Sequence, residues 1–275
     1  MSAALEIRPL TATLGAEVVG VDLADVDGST LDAIRQAWLD HKVLVLRDQH
    51  ITREEHIAFG RRFGDLEIHP FATGTLGDSG HDEIVQITSK PERLVAANTW
   101  HSDVTWREEP SMGSILRGVV IPPAGGDTCF ADTAAAYERL PDDWKDRVDD
   151  KVAVHDFVKT FGRGVPPEKM EEMRATYPPA RHPVIRTHPE TGARGIYTNR
   201  QFTSHVEGVD DEESEAIINR LERAILDPSV QCRVRWQVDT FVMWDNRAVQ
   251  HFATDDFWPE TRTVERVTVV GDRPY

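Results

Sequence analysis

Residues 98 to 106 of the chain read Asn98-Thr99-Trp100-His101-Ser102-Asp103-Val104-Thr105-Trp106. Aromatic, threonine and valine residues without Gly or Pro are typical of a β-strand. Because residues i and i+2 of a strand point to the same face, we expect His101 and Asp103 to project together. On a helix they would point about 200° apart and could not bind one ion. A His and a carboxylate on one strand, with a second His from elsewhere, form the facial triad that binds non-haem Fe(II).

The second histidine of this predicted triad is His251. It ends the stretch Trp244-Asp245-Asn246-Arg247-Ala248-Val249-Gln250-His251. Two His and one Asp can also bind Zn²⁺ with an open position for water, so a zinc hydrolase is an alternative from another enzyme class. The non-enzymatic alternative is a jelly-roll binding or sensor protein that has lost its metal.

The composition restricts the partners of the protein. Its 275 residues carry a formal net charge of −16, which argues against nucleic acid and anionic membranes as partners. Cys129 and Cys232 have no metal-binding spacing, and nothing requires a disulfide between them, so a reducing compartment is expected. The N-terminus has no apolar core of signal-peptide length, and no run of about 20 apolar residues is present. We therefore expect a cytoplasmic protein.

Short apolar runs predict many strands with a few appended helices. The near-continuous apolar run of residues 42–47 is typical of a strand buried on both faces. Thr52 and Glu55 form a capping box that predicts the start of a helix, and residues 210–226 have the clearest helical pattern. Regular strand–helix alternation and a Gly-rich phosphate turn are absent, which argues against a doubly wound fold. The predicted fold class is mainly β with appended helices (α+β), a distorted jelly roll or double-stranded β-helix.

The sequence predicts one domain over residues 1–275, because no repeat, low-complexity tract or clear linker divides it. Residues 141–180 are rich in charge and read as helices and loops, and we interpret them as an insertion that covers the site. Residues 89–98 contain Pro91 and several charges, and we interpret them as a loop or lid that leads into the metal-binding stretch.

Further motifs extend the pattern over nearly the whole chain. They are Gly15-Ala16, Phe63-Gly64, Ile68-His69-Pro70, Trp100 to Thr105, Gly125-Gly126-Asp127-Thr128, Ala134 to Tyr137, His182 to Pro189, Trp244 to Arg247 with His251, and Arg262 with Arg266. With these residues in this order, the sequence resembles the taurine dioxygenase family of Fe(II)/2-oxoglutarate oxygenases. The resemblance implies that His101, Asp103 and His251 bind Fe(II), and that 2-oxoglutarate and O2 take the three open coordination positions.

The resemblance also assigns the residues that bind anions. Arg262, whose planar guanidinium matches a carboxylate, and Thr128 would hold the far carboxylate of 2-oxoglutarate. The residues assigned to the primary substrate are His69, Val104, Phe161, Phe202 and Arg266, and Trp244 is placed near the iron. If the last strand is regular, Arg262 and Arg266 share one face with Cα atoms roughly 13 Å apart, far enough to bind two different anions.

Three positions depart from the taurine pattern. Ala96, Ala97 and Ala72 stand where taurine enzymes carry polar residues and a tyrosine, so a substrate ammonium would be buried here without partners. An uncharged substrate tail fits these small apolar residues better. In addition, Ser204 to Gly208 and Val242 to Asn246 resemble the phenoxyacetate-herbicide branch of the same family.

We therefore predict a dioxygenase that hydroxylates the carbon next to the heteroatom of a small organic anion and releases succinate, CO2 and a carbonyl product. Alkyl sulfates and sulfonates rank first because His69 is present, and aryloxyalkanoates are the alternative. A halogenating variant is disfavoured, because the halogenases of the family replace the aspartate that is retained here as Asp103. We also expect a homo-oligomer, a dimer or tetramer, with no nucleic-acid or membrane partner.

Overall fold

The computed structural model describes residues 5–68, 80–90 and 98–275. Within these ranges the strands are β1 Glu6–Pro9, β2 Ala16–Val19, β3 Val43–Leu46, β4 Val85–Ser89, β5 Gly113–Val120, β6 Thr128–Asp132, β7 Val152–His155, β8 Ala180–Pro183, β9 Ile185–Thr187, β10 Arg194–Ile196, β11 Thr203–Val206, β12 Gln231–Val234, β13 Phe241–Asp245, β14 Val249–Ala253 and β15 Arg262–Val269. The helices are α1 Gly28–His41, α2 Arg53–Arg61, α3 Thr133–Glu138, α4 Asp142–Val148, α5 Phe157–Phe161, α6 Pro167–Thr176 and α7 Asp211–Ile225. Short 3-10 helices span Leu23–Asp25 and Pro228–Val230.

The largest sheet in the described part of the chain has the strand order β1-β2-β3-β13-β5-β15-β4. Neighbouring strands are antiparallel except for β2 and β3, which are parallel. In β3, Val43 and Val45 enter one core, whereas Leu44 and Leu46 enter another. Because side chains of a strand alternate between faces, this sheet is buried on both sides, as the apolar run of residues 42–47 predicts.

Helices α1 and α2 cover one face of the large sheet. Trp38 of α1 and Phe59 of α2 share a core with Phe241 of β13. Helix α2 begins with the predicted capping box, in which the Thr52 hydroxyl accepts from the Glu55 N–H and the Glu55 carboxylate accepts from the Thr52 N–H. Among the described helices, none combines the length and the apolar character that crossing a membrane requires.

A smaller sheet with the order β12-β6-β14 covers the opposite face. Its residues Phe130, Val234 and Val249 pack with Val242 and Val264 of the large sheet. Two mainly antiparallel sheets packed face to face form a jelly roll, and the predicted fold class, mainly β with appended helices, is confirmed. Side chains from both sheets meet in the interior between them.

Residues 141–180 contribute α4, β7, α5 and α6. Strand β7 is the central strand of a further sheet with the order β11-β7-β8. Phe157 of α5 packs in one apolar cluster with Val104 and Phe202. This contact supports a segment that covers the site, while its interpretation as an insertion and the single domain over residues 1–275 stay predictions.

The predicted strand at residues 98–106 is wrong. His101 makes an isolated β-bridge with His251, and residues 103–106 form a turn. Val104 has a φ of 49°, a left-handed conformation that β-branched residues rarely adopt. The ladder ends because the Asp103 N–H donates to the side chain of Asn246, at 2.6 Å, instead of to a strand neighbour. A tertiary contact here overrides a local strand preference.

The packing around Gly113, at the start of β5, gives a stability prediction. A Cβ atom at this position would lie 2.5 Å from Cζ2 of Trp38 and 2.7 Å from the carbonyl oxygen of Trp244. We expect Gly113→Ala to lower the free energy of unfolding by about 1–3 kcal/mol, because an extra methyl group strains a packed core. Gly28→Ala is the control, since a Cβ there meets no atom within 4 Å. Its effect should stay within about 0.5 kcal/mol. Urea denaturation measures both, and equal free energies of unfolding would contradict the prediction.

Candidate active site

Three buried side chains, those of His101, Asp103 and His251, converge in the described structure. Their potential ligand atoms all lie within 4.8 Å of one another. Oδ1 of Asp103 is 3.7 Å from Nε2 of His101 and 3.8 Å from Nε2 of His251. Three facial donors on a metal ion with bonds of about 2.1 Å lie about 3 Å apart, so side-chain shifts below about 1 Å would close the site around an ion.

The main chain fixes the two histidines relative to each other. His251 lies on β14, which pairs with β6. The N–H groups of His101 and His251 each donate to the carbonyl oxygen of the other, at 3.1 and 2.8 Å. Nδ1–H of His101 donates to the carbonyl oxygen of Thr99 at 2.6 Å, which leaves Nε2 as the lone-pair nitrogen that faces Asp103.

Burial keeps both imidazoles neutral. It lowers the pKa of His101, and it lowers the pKa of His251 to about 3, because a charged ring would lose its hydration. Burial alone would raise the pKa of Asp103, but the Arg266 guanidinium, helped by the hydrogen bond from Ser114, outweighs it and holds that pKa well below its usual range. At neutral pH the site offers two neutral nitrogens and one carboxylate, a donor set that fits Fe(II).

The two carboxylate oxygens of Asp103 have different surroundings. Oδ2 accepts from Nη1 of Arg266 at 3.0 Å and from Oγ of Ser114 at 3.2 Å. Oδ1 is the oxygen that faces both Nε2 atoms. This division would favour coordination of a metal ion through Oδ1 alone.

Trp236 connects the two residues assigned to 2-oxoglutarate. Its Nε1–H donates to Oγ1 of Thr128 at 3.0 Å, and the Arg262 guanidinium lies 5.4 Å from the centroid of its ring. Thr128 accepts this bond and keeps its own proton for a further acceptor. Arg262 is 7% exposed, and within the described residues its Nε has no hydrogen-bond partner. Burial lowers the pKa of Arg262 to about 10, and a bound carboxylate would compensate this buried charge.

Arg262 and Arg266 project from the same face of β15. The strand pairs regularly with β4 over residues 262–266, and Val264, between the two arginines, enters the core between the sheets. Side chains two and four positions apart share a face of a strand. One strand therefore directs Arg262 toward Trp236 and Arg266 toward Asp103.

Aromatic rings extend from the candidate metal ligands toward the surface. Phe202 packs edge-on against His101 at 6.4 Å, and Phe161 lies 6.3 Å from Phe202. Phe157 stacks on Phe161 at 4.5 Å, and Val104 belongs to the same apolar cluster as Phe157 and Phe202. Phe161 is 43% exposed, so the series of rings reaches solvent. Four residues of the substrate prediction lie outside the described residues: His69, Ala72, Ala96 and Ala97.

Sequence reasoning missed three residues that contact the predicted site directly. Ser114 and Asn246 bind Asp103, and Trp236 contacts Thr128 and Arg262. Asn246 stands inside a quoted motif, and nothing in the local pattern of the three residues distinguishes them from core or turn residues. Trp244, in contrast, lies near the triad as expected from the resemblance, with its ring centroid 4.9 Å from that of His251.

Known proteins match almost the whole chain. An alkylsulfatase of Acinetobacter baylyi is 36% identical over 277 residues, which cover 98% of this chain and 86% of the relative. A sulfate ester dioxygenase of Pseudomonas putida, named as dependent on alpha-ketoglutarate (2-oxoglutarate), is 35% identical. The match covers 98% of this chain and 91% of the relative. The (S)-phenoxypropionate/alpha-ketoglutarate-dioxygenase of Sphingobium herbicidovorans is 33% identical. The match covers 99% of this chain and 97% of the relative.

Solved structures share the fold at similar coverage. A taurine dioxygenase from Burkholderia xenovorans has a TM-score of 0.84 at 35% identity and covers 99% of this chain and 93% of that chain. AAD-2 in complex with Mn(II) and N-oxalylglycine has a TM-score of 0.86 at 27% identity, with 99% of both chains covered. A family profile matches residues 6–268. By this match and by relatives more than 30% identical over nearly its full length, the chain belongs to the taurine catabolism dioxygenase TauD, TfdA family.

Proposed function

We propose that the protein is an Fe(II)- and 2-oxoglutarate-dependent dioxygenase. It would hydroxylate the carbon next to the heteroatom of a small organic anion, with release of succinate, CO2 and a carbonyl product. The observation that carries the proposal is the buried triad of His101, Asp103 and His251 beside two largely buried arginines that share one face of β15. The reaction type is supported by relatives whose names include alpha-ketoglutarate.

The residues around the triad fit a cosubstrate with two carboxylates. Fe(II), when bound by the triad, would supply the activation of O2, with 2-oxoglutarate as the co-reductant. Arg262 and Thr128, on two sides of the Trp236 indole, would hold the carboxylate that lies far from the metal. N-oxalylglycine differs from 2-oxoglutarate by an N–H in place of a CH2 group, so its complex with AAD-2 and Mn(II) supports this pairing of metal and cosubstrate.

Arg266 is the residue that we propose for the anionic head of the primary substrate. Its Nη1 donates to Asp103, and a guanidinium has five N–H donors, so Arg266 can bind Asp103 and a substrate oxygen at the same time. The head group would then lie beside the metal-binding carboxylate. Holding the reacting carbon in a fixed position would contribute to the rate.

Sulfate esters and sulfonates are the first substrate class. An alkylsulfatase and a sulfate ester dioxygenase are relatives at 36% and 35% identity. The apolar cluster of Val104, Trp106, Phe157 and Phe202 suits an uncharged tail. Aryloxyalkanoates are the second class, supported by the phenoxypropionate relative and by the stacked pair of Phe157 and Phe161, which suits contact with an aryl ring.

The two alternative readings explain less of the site. A zinc hydrolase would use the same three ligands, but it would leave the buried Arg262 and the Thr128 hydroxyl without a function. A binding protein without metal would have no need for three ligand side chains whose neutral or ionised states suit a cation.

We also propose a cytoplasmic homo-oligomer, a dimer or tetramer. The free thiols of Cys129 and Cys232 support a reducing compartment. Burial raises the pKa of Cys232 to about 12, so this thiol remains protonated and unreactive. The oligomer rests on the family resemblance alone, and sedimentation equilibrium would measure it.

Removal of one metal ligand should abolish turnover. We expect Asp103→Ala and His251→Ala to lose Fe(II)-dependent succinate formation, and EDTA to abolish it in the parent protein, because the triad has no substitute donor at the same position. Anaerobic titration with Fe(II) in the presence of 2-oxoglutarate, followed by absorbance, reports binding. His205→Ala, at an exposed position of β11, is the control. If Asp103→Ala decarboxylated 2-oxoglutarate at the parental rate, the assignment of the triad would be wrong.

The two arginines should separate the two anions. Arg262→Ala should weaken 2-oxoglutarate binding roughly ten- to a hundredfold, because a lost hydrogen bond to a charged group costs about 1.5–3 kcal/mol. With Fe(II) supplied at saturation, Arg266→Ala should raise the KM for the primary substrate by a similar factor and leave the Kd of 2-oxoglutarate near the parental value. Titration of 2-oxoglutarate into each anaerobic Fe(II) protein measures the first effect, and initial rates measure the second.

A matched control for both arginines is Arg53→Ala. It removes the ion pair with Glu265 on the opposite face of β15 and should change neither constant. If Arg266→Ala lost affinity for 2-oxoglutarate and Arg262→Ala did not, the two assignments would be exchanged. Equal losses of 2-oxoglutarate in both would mean one shared anion site.

A substrate panel tests the two classes against each other. With an alkyl sulfate, an alkylsulfonate and a phenoxyacetate supplied separately, we expect succinate and the carbonyl product in equal amounts, fastest with the sulfate. A faster reaction with the phenoxyacetate would favour the second class. Succinate without oxidised product from every anion would exclude both classes and leave the cosubstrate chemistry intact.

A further inference from the structure

The turn that carries Asp103 is held mainly by side chains from other elements. Its one backbone bridge, at His101, precedes the turn. Oγ of Ser102 donates to the carbonyl oxygen of Val249 in β14 at 2.8 Å. Thr105 is bound on two sides, because Nδ2 of Asn199 donates to its Oγ1 at 3.0 Å and Nε2 of His182 donates to its carbonyl oxygen at 2.9 Å.

Asn246 binds the backbone of Asp103 on both sides. The Asp103 N–H donates to Oδ1 of Asn246 at 2.6 Å, and Nδ2 of Asn246 donates to the Asp103 carbonyl oxygen at 3.0 Å. The same Nδ2 also reaches the carbonyl oxygen of Ser111 at 3.0 Å. The side-chain amide, which is 0% exposed, thus takes the place that a neighbouring strand residue would have.

Asn246 is itself fixed by the connection between β13 and β14. Its backbone N–H donates to the carbonyl oxygen of Met112 at 2.9 Å. The preceding residue, Asp245, accepts from Nε of Arg247 at 2.8 Å and from Nε2 of His188 at 3.0 Å. His251 follows five positions after Asn246 in the same connection and strand. The amide therefore ties the backbone of one metal ligand to the segment that carries another.

The conformation of the turn requires such support. Val104, directly after Asp103, holds a φ of 49°. A left-handed conformation of a non-Gly residue is strained and persists only where surrounding contacts determine it. Asn246 supplies two of these contacts at the residue next to the strained one.

We propose that Asn246 is a positioning residue of the metal centre. It acts through Asp103, whose backbone it holds so that Oδ1 stands 3.7 and 3.8 Å from the two Nε2 atoms. The inference rests on the proposed function, since it presupposes that the triad binds a metal ion. Loss of a residue that orients a metal ligand typically weakens metal binding about ten- to a hundredfold.

The test is a titration of the full chain with Co(II), whose visible absorbance reports the geometry of its ligands. Asn246→Ala should raise the Kd of Co(II) about ten- to a hundredfold and change the visible spectrum of the bound ion. Gln49→Ala is the matched control. Gln49 is also a buried amide, and it makes hydrogen bonds to the main chain at Leu23, Val21 and Arg47, on the helix side of the molecule. Gln49→Ala should lower the free energy of unfolding about as much as Asn246→Ala does. It should keep the Kd of Co(II) within about twofold of the parental value, because distant sites act independently.

Three results would overturn the inference. In the first, Asn246→Ala binds Co(II) as tightly as the parent protein. In the second, Gln49→Ala loses as much affinity for Co(II) as Asn246→Ala. Either result would mean that Asn246 has only a structural role. Failure of the parent to bind Co(II) would reject the metal centre and the inference together.

If Asn246→Ala does not fold, Asn246→Ser replaces it, since a hydroxyl cannot reach both the N–H and the carbonyl of Asp103, and weaker binding is again expected. The free energy of unfolding, measured in the same buffer, separates stability from positioning.

Discussion

A buried carboxylate, that of Asp103, sets the requirements for the groups around it. Loss of its hydration costs several kcal/mol unless charge and hydrogen-bond donors replace the water. Arg266 and Ser114 supply this compensation at Oδ2, and Oδ1 is left facing two neutral nitrogens. A cation bound at the triad would complete the compensation. The stability of the interior and the proposed chemistry therefore depend on the same charge.

Strand β15 connects this interior to the helix layer. Arg262 and Arg266 point to the site, whereas Glu265 points to the opposite face and forms an ion pair with Arg53 of α2. A shift of the strand by one residue would bring Glu265 to the site and remove both arginines from it. The hydrophobic pattern that fixes the register of β15 therefore also fixes the sign of the charge at the site.

The donors of the candidate site could be predicted from the sequence better than the backbone that presents them. The sequence indicates His101, Asp103 and His251 because residue type determines which ions a site can bind. The turn at Asp103 could not be predicted, because it depends on Asn246, 143 positions away, while local propensity favours a strand. The shared face of Arg262 and Arg266 follows from a period of two. The fold class followed from the short apolar runs, although the four-residue strands β7 and β11 gave no clear pattern.

The protein has a net charge of −16, so the binding of an anionic substrate depends on which arginines are already paired with carboxylates. At a distance the acidic surface repels an anion, although salt screens this repulsion beyond about 8 Å. Surface arginines such as Arg47 and Arg233 are neutralised by neighbouring carboxylates. Arg262, in contrast, has an indole ring beside its guanidinium, and Arg266 shares the one carboxylate that the metal site also uses. Attraction between charges is strongest where water is excluded. The proposed binding of two anions in the interior of an acidic protein is therefore physically consistent, because burial and the choice of partners, and not net charge, determine the local field.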